Sequence, residues 1–319
     1  MLFTMSDEKH NFRIAQTRAL TGRISEFELA PVAPGTVMGW SAGAHVDVAL
    51  DGLGSRSYSL ISWPGDTQDF LRIAVQEEPD GAGGSLAMHA CAPGDLLQVS
   101  DARNDFALRD RDGPVALLAG GIGVTPLISM ATQLLADSDA FVFHYAARSR
   151  GEAAYVDLLE DTFGPRLRLH FDDDIRIDLP DVMRELGGHR LYICGPKGFI
   201  EATRRAAEAA GIASDRIHVE VFETPPVTDQ DGSFEVALLS TGQVFTVPPG
   251  QSIIEVLEAG GVDLMYDCQR GDCGICQVDV LEGEPDHRDV VLSQTEKDSG
   301  KVMQICVSRA KSKRLVLDI

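Results

Sequence analysis

Between residues 12 and 108 the apolar positions come in short stretches, ISEFELAP, AHVDVAL, RSYSLIS, DFLRIAVQ and GDLLQVS, separated by turn signals such as DGLG. Val46, Val48 and Leu50 recur at every second residue, the period of a strand with one buried face. The region is therefore predicted to form antiparallel strands in a small barrel or sandwich, with one short helix near SLAMHA. From Pro114 the pattern changes. Continuous apolar runs (VALLAG, AFVFHYA, RLRLHF, RLYICG, IHVEVF) alternate with helical stretches such as LISMATQLLAD and GFIEATRRAAEAAG. That alternation predicts βαβ units around a parallel sheet covered on both faces. TPPVTDQDG, around Pro225 and Pro226, has no periodicity and reads as a linker. Beyond it, FEVALLSTGQVFTV predicts a hairpin turned at Thr241 and Gly242, and SIIEVLEAGG a short helix ended by Gly260 and Gly261. The expected division is a first domain over 1–109, a second over 110–225, a linker over 226–234 and a third domain over 235–319.

Composition agrees with a folded, multidomain chain: 319 residues, 44% hydrophobic and 24% charged. The net charge of −21, from 28 basic and 49 acidic residues, would repel a phosphate backbone, so nucleic acid is excluded as an expected partner. The acidity serves solubility, or steers a protein partner with a basic patch. No apolar run reaches the roughly 20 residues of a membrane span, and the N-terminus lacks a secretory core, so no membrane association and a cytoplasmic location are expected. Four of the six cysteines crowd into the last fifth of the chain, which in a reducing compartment points to metal ligation.

YDCQRGDCGIC spaces Cys268, Cys273 and Cys276 by four and then two residues, with Cys306 some thirty residues on in QICVSR. This is the plant-type ferredoxin spacing for a [2Fe–2S] cluster, with Gly271 and Gly274 letting the backbone wrap the sulfides. The competing reading is zinc on four thiolates, but structural zinc sites pair two short C-x2-4-C units, and here the fourth cysteine stands alone.

Two further motifs suggest phosphates. RSYSL (Arg56, Ser57, Tyr58, Ser59, Leu60) lies on a predicted strand, and Gly83, Gly84 and Ser85 open a predicted helix. Free backbone N–H groups, the Ser85 hydroxyl and the Arg56 charge would suit a phosphate, while Tyr58 offers a ring for stacking. Taken alone, RSYS is more often an ordinary strand and GGS an ordinary helix cap; their order within one barrel favours the phosphate reading. In LLAGGIGVTPLISM a buried strand runs into Gly120, Gly121 and Gly123, with Thr125 expected as N-cap and Pro126 at the first helical position. The run is the stronger phosphate signal, although it departs from G-x-G-x-x-G; a glycine turn for packing alone is the competing reading. Cys194, Gly195 and Pro196 stand at a strand end, where ligands collect in open parallel sheets, though a lone cysteine is as readily a core thiol.

In this order RSYSL, GGS, GGIGVTP, CGP, HVEVF and C-x4-C-x2-C…C resemble the phthalate dioxygenase reductase family, over nearly the whole chain. HRDVVLS, from His287 to Ser293, is also similar to the family's approach to its last cysteine. The resemblance implies an antiparallel β-barrel binding FMN, an α/β parallel-sheet domain binding NADH, and an α+β β-grasp ferredoxin domain. It further implies Arg56 and Ser85 at the FMN phosphate, Tyr58 and Ser59 at the flavin ring with Ser59 near N5, and Gly121 and Thr125 at the nicotinamide nucleotide. Cys194 is implied near the reacting nicotinamide carbon and Phe222 against the flavin. NADH over NADPH follows from the resemblance and from Asp172, Asp173 and Asp174, whose charges would repel a 2′-phosphate, with Arg148 arguing the other way. The implied function is an oxidoreductase relaying electrons from NADH through flavin and cluster to a Rieske-type terminal oxygenase. Supply to a haem-thiolate monooxygenase and a non-catalytic redox sensor are the alternatives.

Overall fold

The computed structural model describes residues 9–33, 39–67, 69–109, 113–222 and 231–319. Most of the expected linker 226–234 lies outside them, as does Pro225 before it. By packing, the chain separates after Gly195 into two compact units.

The first unit opens with six antiparallel strands, β1 (Lys9–Ala19), β2 (Ile24–Pro31), β3 (His45–Leu50), β4 (Gly54–Ser59), β5 (Leu71–Gln76) and β6 (Leu96–Ser100), in the order β4-β3-β6-β1-β2-β5. Just past β4 the Ile61 N–H donates to Arg72 O on β5 at 2.9 Å, so the edge strands meet and the sheet curls into a barrel. Phe12, Ile14, Phe27, Val46, Val48, Ile73 and Val99 fill its interior, because alternate residues of each strand point inward. Helix α1 (Gly84–Ala90) follows β5.

The same unit continues with parallel strands β7 (Val115–Gly120), β8 (Phe141–Ala147), β9 (Leu167–Phe171) and β10 (Arg190–Cys194), side by side as β10-β7-β8-β9. Between them run α2 (Val124–Ala136), α3 (Val156–Phe163) and α4 (Leu179–Glu185). Leu127, Met130 and Leu134 of α2 pack on Leu117, Phe143 and Tyr145 of the sheet. Parallel strands register their carboxyl ends together, so the residues after β7, β8, β9 and β10 line one edge. Barrel and parallel sheet share a buried polar contact: Tyr155, in a left-handed conformation (φ 64) before α3, donates to Glu26 on β2 at 2.7 Å.

His144 on β8 and His170 on β9 stack with ring planes 9° apart, and Nδ1 of one lies 3.0 Å from Nε2 of the other. Burial first, then His170, Arg168 and His189, lower the His144 pKa to about 4, and His170 is lowered as well. In the unfolded chain a histidine takes its proton near pH 6.5, so the neutral pair contributes stability above that pH which is lost as pH falls from 6.5 toward 4. For His144 the loss approaches about 3 kcal/mol. His144→Phe is expected to flatten the fall in denaturation midpoint between pH 7 and pH 5; an unchanged slope would exonerate the pair.

The second unit begins with α5 (Lys197–Ala209) and β11 (Ile217–Glu220). It continues through β12 (Phe234–Leu238), β13 (Val244–Val247), α6 (Ile253–Ala259), β14 (Gln277–Glu282), β15 (Pro285–Asp286), α7 (Gln294–Ser299), β16 (Val302–Gln304), β17 (Arg309–Ala310) and β18 (Arg314–Asp318). The sheet order is β13-β12-β18-β14-β16, with β12 and β18 parallel at its centre and the other pairings antiparallel, a β-grasp arrangement. Ile253, Ile254 and Leu257 of α6 close its core over Val236, Val247 and Leu315. Ser252 and Glu255 form a capping box that starts α6, and Gly260 ends it. The hairpin turns at Thr241 and Gly242 (φ 70), as its sequence predicts.

Candidate functional site: a thiol quartet and two glycine motifs

The loop from Cys268 to Cys276 curls because three of its residues, Gln269 (φ 52), Gly271 (φ 81) and Gly274 (φ 81), adopt left-handed backbone. At Gly271 a side chain has no room: a Cβ would lie 2.6 Å from Val307 and 3.1 Å from the Asp289 Cα. The curl brings the sulfurs together. Cys268 is in hydrogen-bonding contact with Cys273 and Cys306, and Cys276 with Cys306. Among the described residues no three His, Cys, Asp or Glu side chains gather around one point as a single ion requires. The contacts string the four thiols into a row, 273, 268, 306, 276. Hydrogen bonds from Cys273 and Cys306, helped by the Arg270 N–H on Cys268 Sγ at 3.3 Å, hold the Cys268 thiol far below its ordinary value, and a thiolate is the ligating form. HRDVVLS braces this loop: Val290 N–H donates to Gly271 O at 3.1 Å, and the buried Asp289 accepts from Leu292 N–H at 2.8 Å.

In the first unit the two nucleotide motifs meet backbone to backbone. A Cβ on Gly123 would lie 2.4 Å from the Cys194 carbonyl carbon and oxygen, and one on Gly195 would lie 2.9 Å from Gly120 Cα. Only glycine allows the turn after β7 to sit so close to the end of β10. The expected cap differs, however. A 3-10 turn over Gly121–Gly123 leads straight into α2 at Val124, so Thr125 and Pro126 are the second and third helical residues. Thr125 is buried, its hydroxyl donating to Ile122 O at 3.0 Å, and the N-cap is Gly123 with no side-chain cap. The turn's backbone N–H groups, not a Thr125 cap, are what the edge presents. Cys194 is fully buried at the end of β10. Arg148 follows β8, and Asp172, Asp173 and Asp174 follow β9, where they lie exposed on the same edge.

The barrel motifs also come together. The Arg56 side chain crosses Gly84, where a Cβ would meet its Nε at 2.7 Å, and its guanidinium donates to Leu53 O and Ser55 O at 3.0 and 2.8 Å. A cation thus stands beside Gly83, Gly84 and Ser85 at the start of α1, a fit for a phosphate. Ser85 Oγ accepts from Glu78 N–H at 2.9 Å, leaving its hydroxyl hydrogen to donate elsewhere. Ser57 points the other way and donates to Asp47 at 2.6 Å. Tyr58 is half-buried, and burial, opposed by Arg56, pushes its phenol up to about 12, so it stays a neutral ring. Ser59 is buried at the end of β4, and Phe222 stands 42% exposed just after β11.

Two residues that pattern reading overlooks tie the motifs of the first unit together. Ser129 Oγ donates to Leu60 O at 2.7 Å and accepts from Ser62 N–H at 2.9 Å, and Thr132 Oγ1 donates to Ser62 O at 2.8 Å. The helix that starts at the glycine turn therefore carries the chain segment following Ser59. A buried hydroxyl at helical spacing from Thr125 is the faint signal that marks Ser129.

The model of a 2Fe-2S iron-sulfur cluster binding domain matches residues 236–311. The vanillate O-demethylase oxidoreductase of a Pseudomonas species (strain HR199) is 40% identical over 313 residues, covering 96% of this chain and 98% of that protein. Among solved structures, phthalate dioxygenase reductase superposes with a TM-score of 0.67 at 33% identity, over 98% of each chain. An intact type IV self-sufficient cytochrome P450 monooxygenase superposes with a TM-score of 0.70 at 34% identity, over 98% of this chain, which spans 41% of that longer one. No helix among the described residues is long and apolar enough to cross a membrane. With barrel, parallel sheet and thiol-bearing β-grasp in the same succession from end to end, the chain belongs to the phthalate dioxygenase reductase family of iron-sulfur flavoprotein oxidoreductases.

Proposed function

We propose that this protein is the NADH-dependent reductase component of a Rieske-type oxygenase system. The observation that carries the reading is the row of four thiols in a chain that also joins a glycine-lined nucleotide edge to a phosphate-suited barrel strand. When bound, the nicotinamide supplies a hydride, the flavin takes up the pair and yields single electrons, and the cluster carries one electron at a time. The chain's own residues bind and align. Arg56, with Gly83, Gly84 and Ser85, holds the FMN phosphate; Ser57, bonded to Asp47, steadies the strand that carries the flavin site; Tyr58 and Ser59 run along the flavin, with the Ser59 hydroxyl toward N5; and Phe222 covers its face.

Gly120, Gly121 and Gly123 give the nucleotide its close backbone approach, and Thr125 and Pro126 stiffen the turn from within α2. Cys194, Gly195 and Pro196 border the nicotinamide, and Asp172, Asp173 and Asp174 favour NADH by repelling a 2′-phosphate. Cys268, Cys273, Cys276 and Cys306 ligate the cluster. The functional domains span 1–109, 110–225 and 235–319. A cytoplasmic location belongs to the same proposal, since ligating thiols need a reducing compartment.

The likeness to part of a cytochrome P450 chain favours a second reading, electron supply to a haem-thiolate monooxygenase. Mixing the holoprotein and NADH with a Rieske-type demethylase, and separately with a haem-thiolate monooxygenase, separates the two. Product that depends on NADH and on this protein is expected with the first. Product only with the second overturns the proposal, and no NADH-driven electron flow to any acceptor would leave a sensor.

A further inference from the structure

Within the second unit, the cluster loop is tied to the end of β11 by side chains outside the thiol quartet. Asp272, 7% exposed, accepts the Val221 backbone N–H on Oδ2 at 3.0 Å and the Arg270 Nε at 3.3 Å. The Arg270 guanidinium also reaches the buried Glu220 carboxylate at 4.0 Å. At the other end of this tie, the Asp272 carboxyl faces the Cys268 thiol, on whose sulfur the Arg270 amide donates at 3.3 Å. One carboxyl therefore connects the residue before Phe222 to the loop holding Cys268 and Cys273. Burying a carboxyl is costly unless its bonds are made, and a contact maintained at that cost suits a spacing that must not vary.

We propose that Asp272, supported by Arg270, is a positioning residue that sets the Cys268 loop against the Val221–Phe222 segment and so governs electron passage into the cluster. The proposal rests on the reading above, in which Phe222 covers the flavin.

The test uses the holoprotein and its Asp272→Ala and Asp272→Asn variants. Asparagine keeps an oxygen to accept the Val221 N–H; alanine does not. Asp272→Ala is expected to retain its iron and sulfide, reduce ferricyanide with NADH within about twofold of wild type, yet pass electrons from flavin to cluster about tenfold more slowly in a rapid-mixing experiment. Its Val221 amide should exchange about fivefold faster, the loss of one hydrogen bond. Asp272→Asn should restore both. An unchanged transfer rate in the alanine variant overturns the proposal, and so does an unchanged Val221 exchange rate. If that variant loses its cluster, Arg270→Met, which removes the guanidinium supporting Asp272 and leaves the amide on Cys268, decides by the transfer rate: slower transfer supports the proposal and an unchanged rate overturns it. Amide exchange judges the contact even if NADH fails to reduce the wild-type cluster, a result that would instead defeat the functional reading.

Discussion

Cys273→Ser is expected to abolish electron delivery to an oxygenase, by at least about a hundredfold, while leaving NADH-driven ferricyanide reduction within about twofold of wild type. The asymmetry follows from where the residue sits. Cys273 is in the β-grasp unit, in contact with Cys268, and a serine hydroxyl at neutral pH is neither ionised nor soft enough to hold iron in its place. Arg56, Gly123 and Cys194 all belong to the first unit, which keeps its own barrel and parallel-sheet cores. Equal loss of both activities would mean that the cluster does not lie downstream of the flavin.

Gly123→Ala is expected to have the next largest effect. The added Cβ falls 2.4 Å from two backbone atoms of Cys194 and 2.5 Å from the Gly195 nitrogen. None of these can rotate aside, so the start of α2 and the end of β10 must part. Overpacking of this kind costs about 1–3 kcal/mol of stability. The same displacement opens the nucleotide edge, and the KM for NADH should rise at least about tenfold, with cluster and flavin content unchanged. Gly121→Ala is the useful comparison: its Cβ meets nothing, and only the left-handed backbone (φ 52) opposes it, at about 1–2 kcal/mol. A Gly123→Ala protein with wild-type melting temperature and wild-type KM would remove the two-glycine contact from the account.

Much of this architecture is legible from residue pattern. The alternation in AHVDVAL, the buried run VALLAG and the hairpin around Gly242 each became the expected element, because in each the burial period and the turn residues agree. What escaped has a common cause. β1 buries little beyond Phe12 and Ile14 among charged neighbours, and α3 and α4 are too short for a period to register. Thr125 looked like an N-cap because a hydroxyl before a proline normally is one; the 3-10 turn over Gly121–Gly123 began the helix sooner. Cysteine spacing pointed to the metal site because thiolate ligands must recur at distances a tight loop can close. Arg270 and Asp272 leave no signal in the sequence and Ser129 only a faint one, since their partners at Leu60, Ser62, Glu220 and Val221 are joined to them only through the fold.

The central claim, that four thiolates hold two irons which NADH reduces through a flavin bound by the same chain, has a direct measurement. Protein purified without oxygen is assayed for iron, zinc, acid-labile sulfide and flavin, and its visible spectrum is followed as NADH is added. The expected result is iron and labile sulfide at about two of each per chain, one flavin, and bleaching of both chromophores by NADH. Zinc at about one per chain without labile sulfide, or a cluster that NADH leaves oxidised while the flavin bleaches, would contradict it.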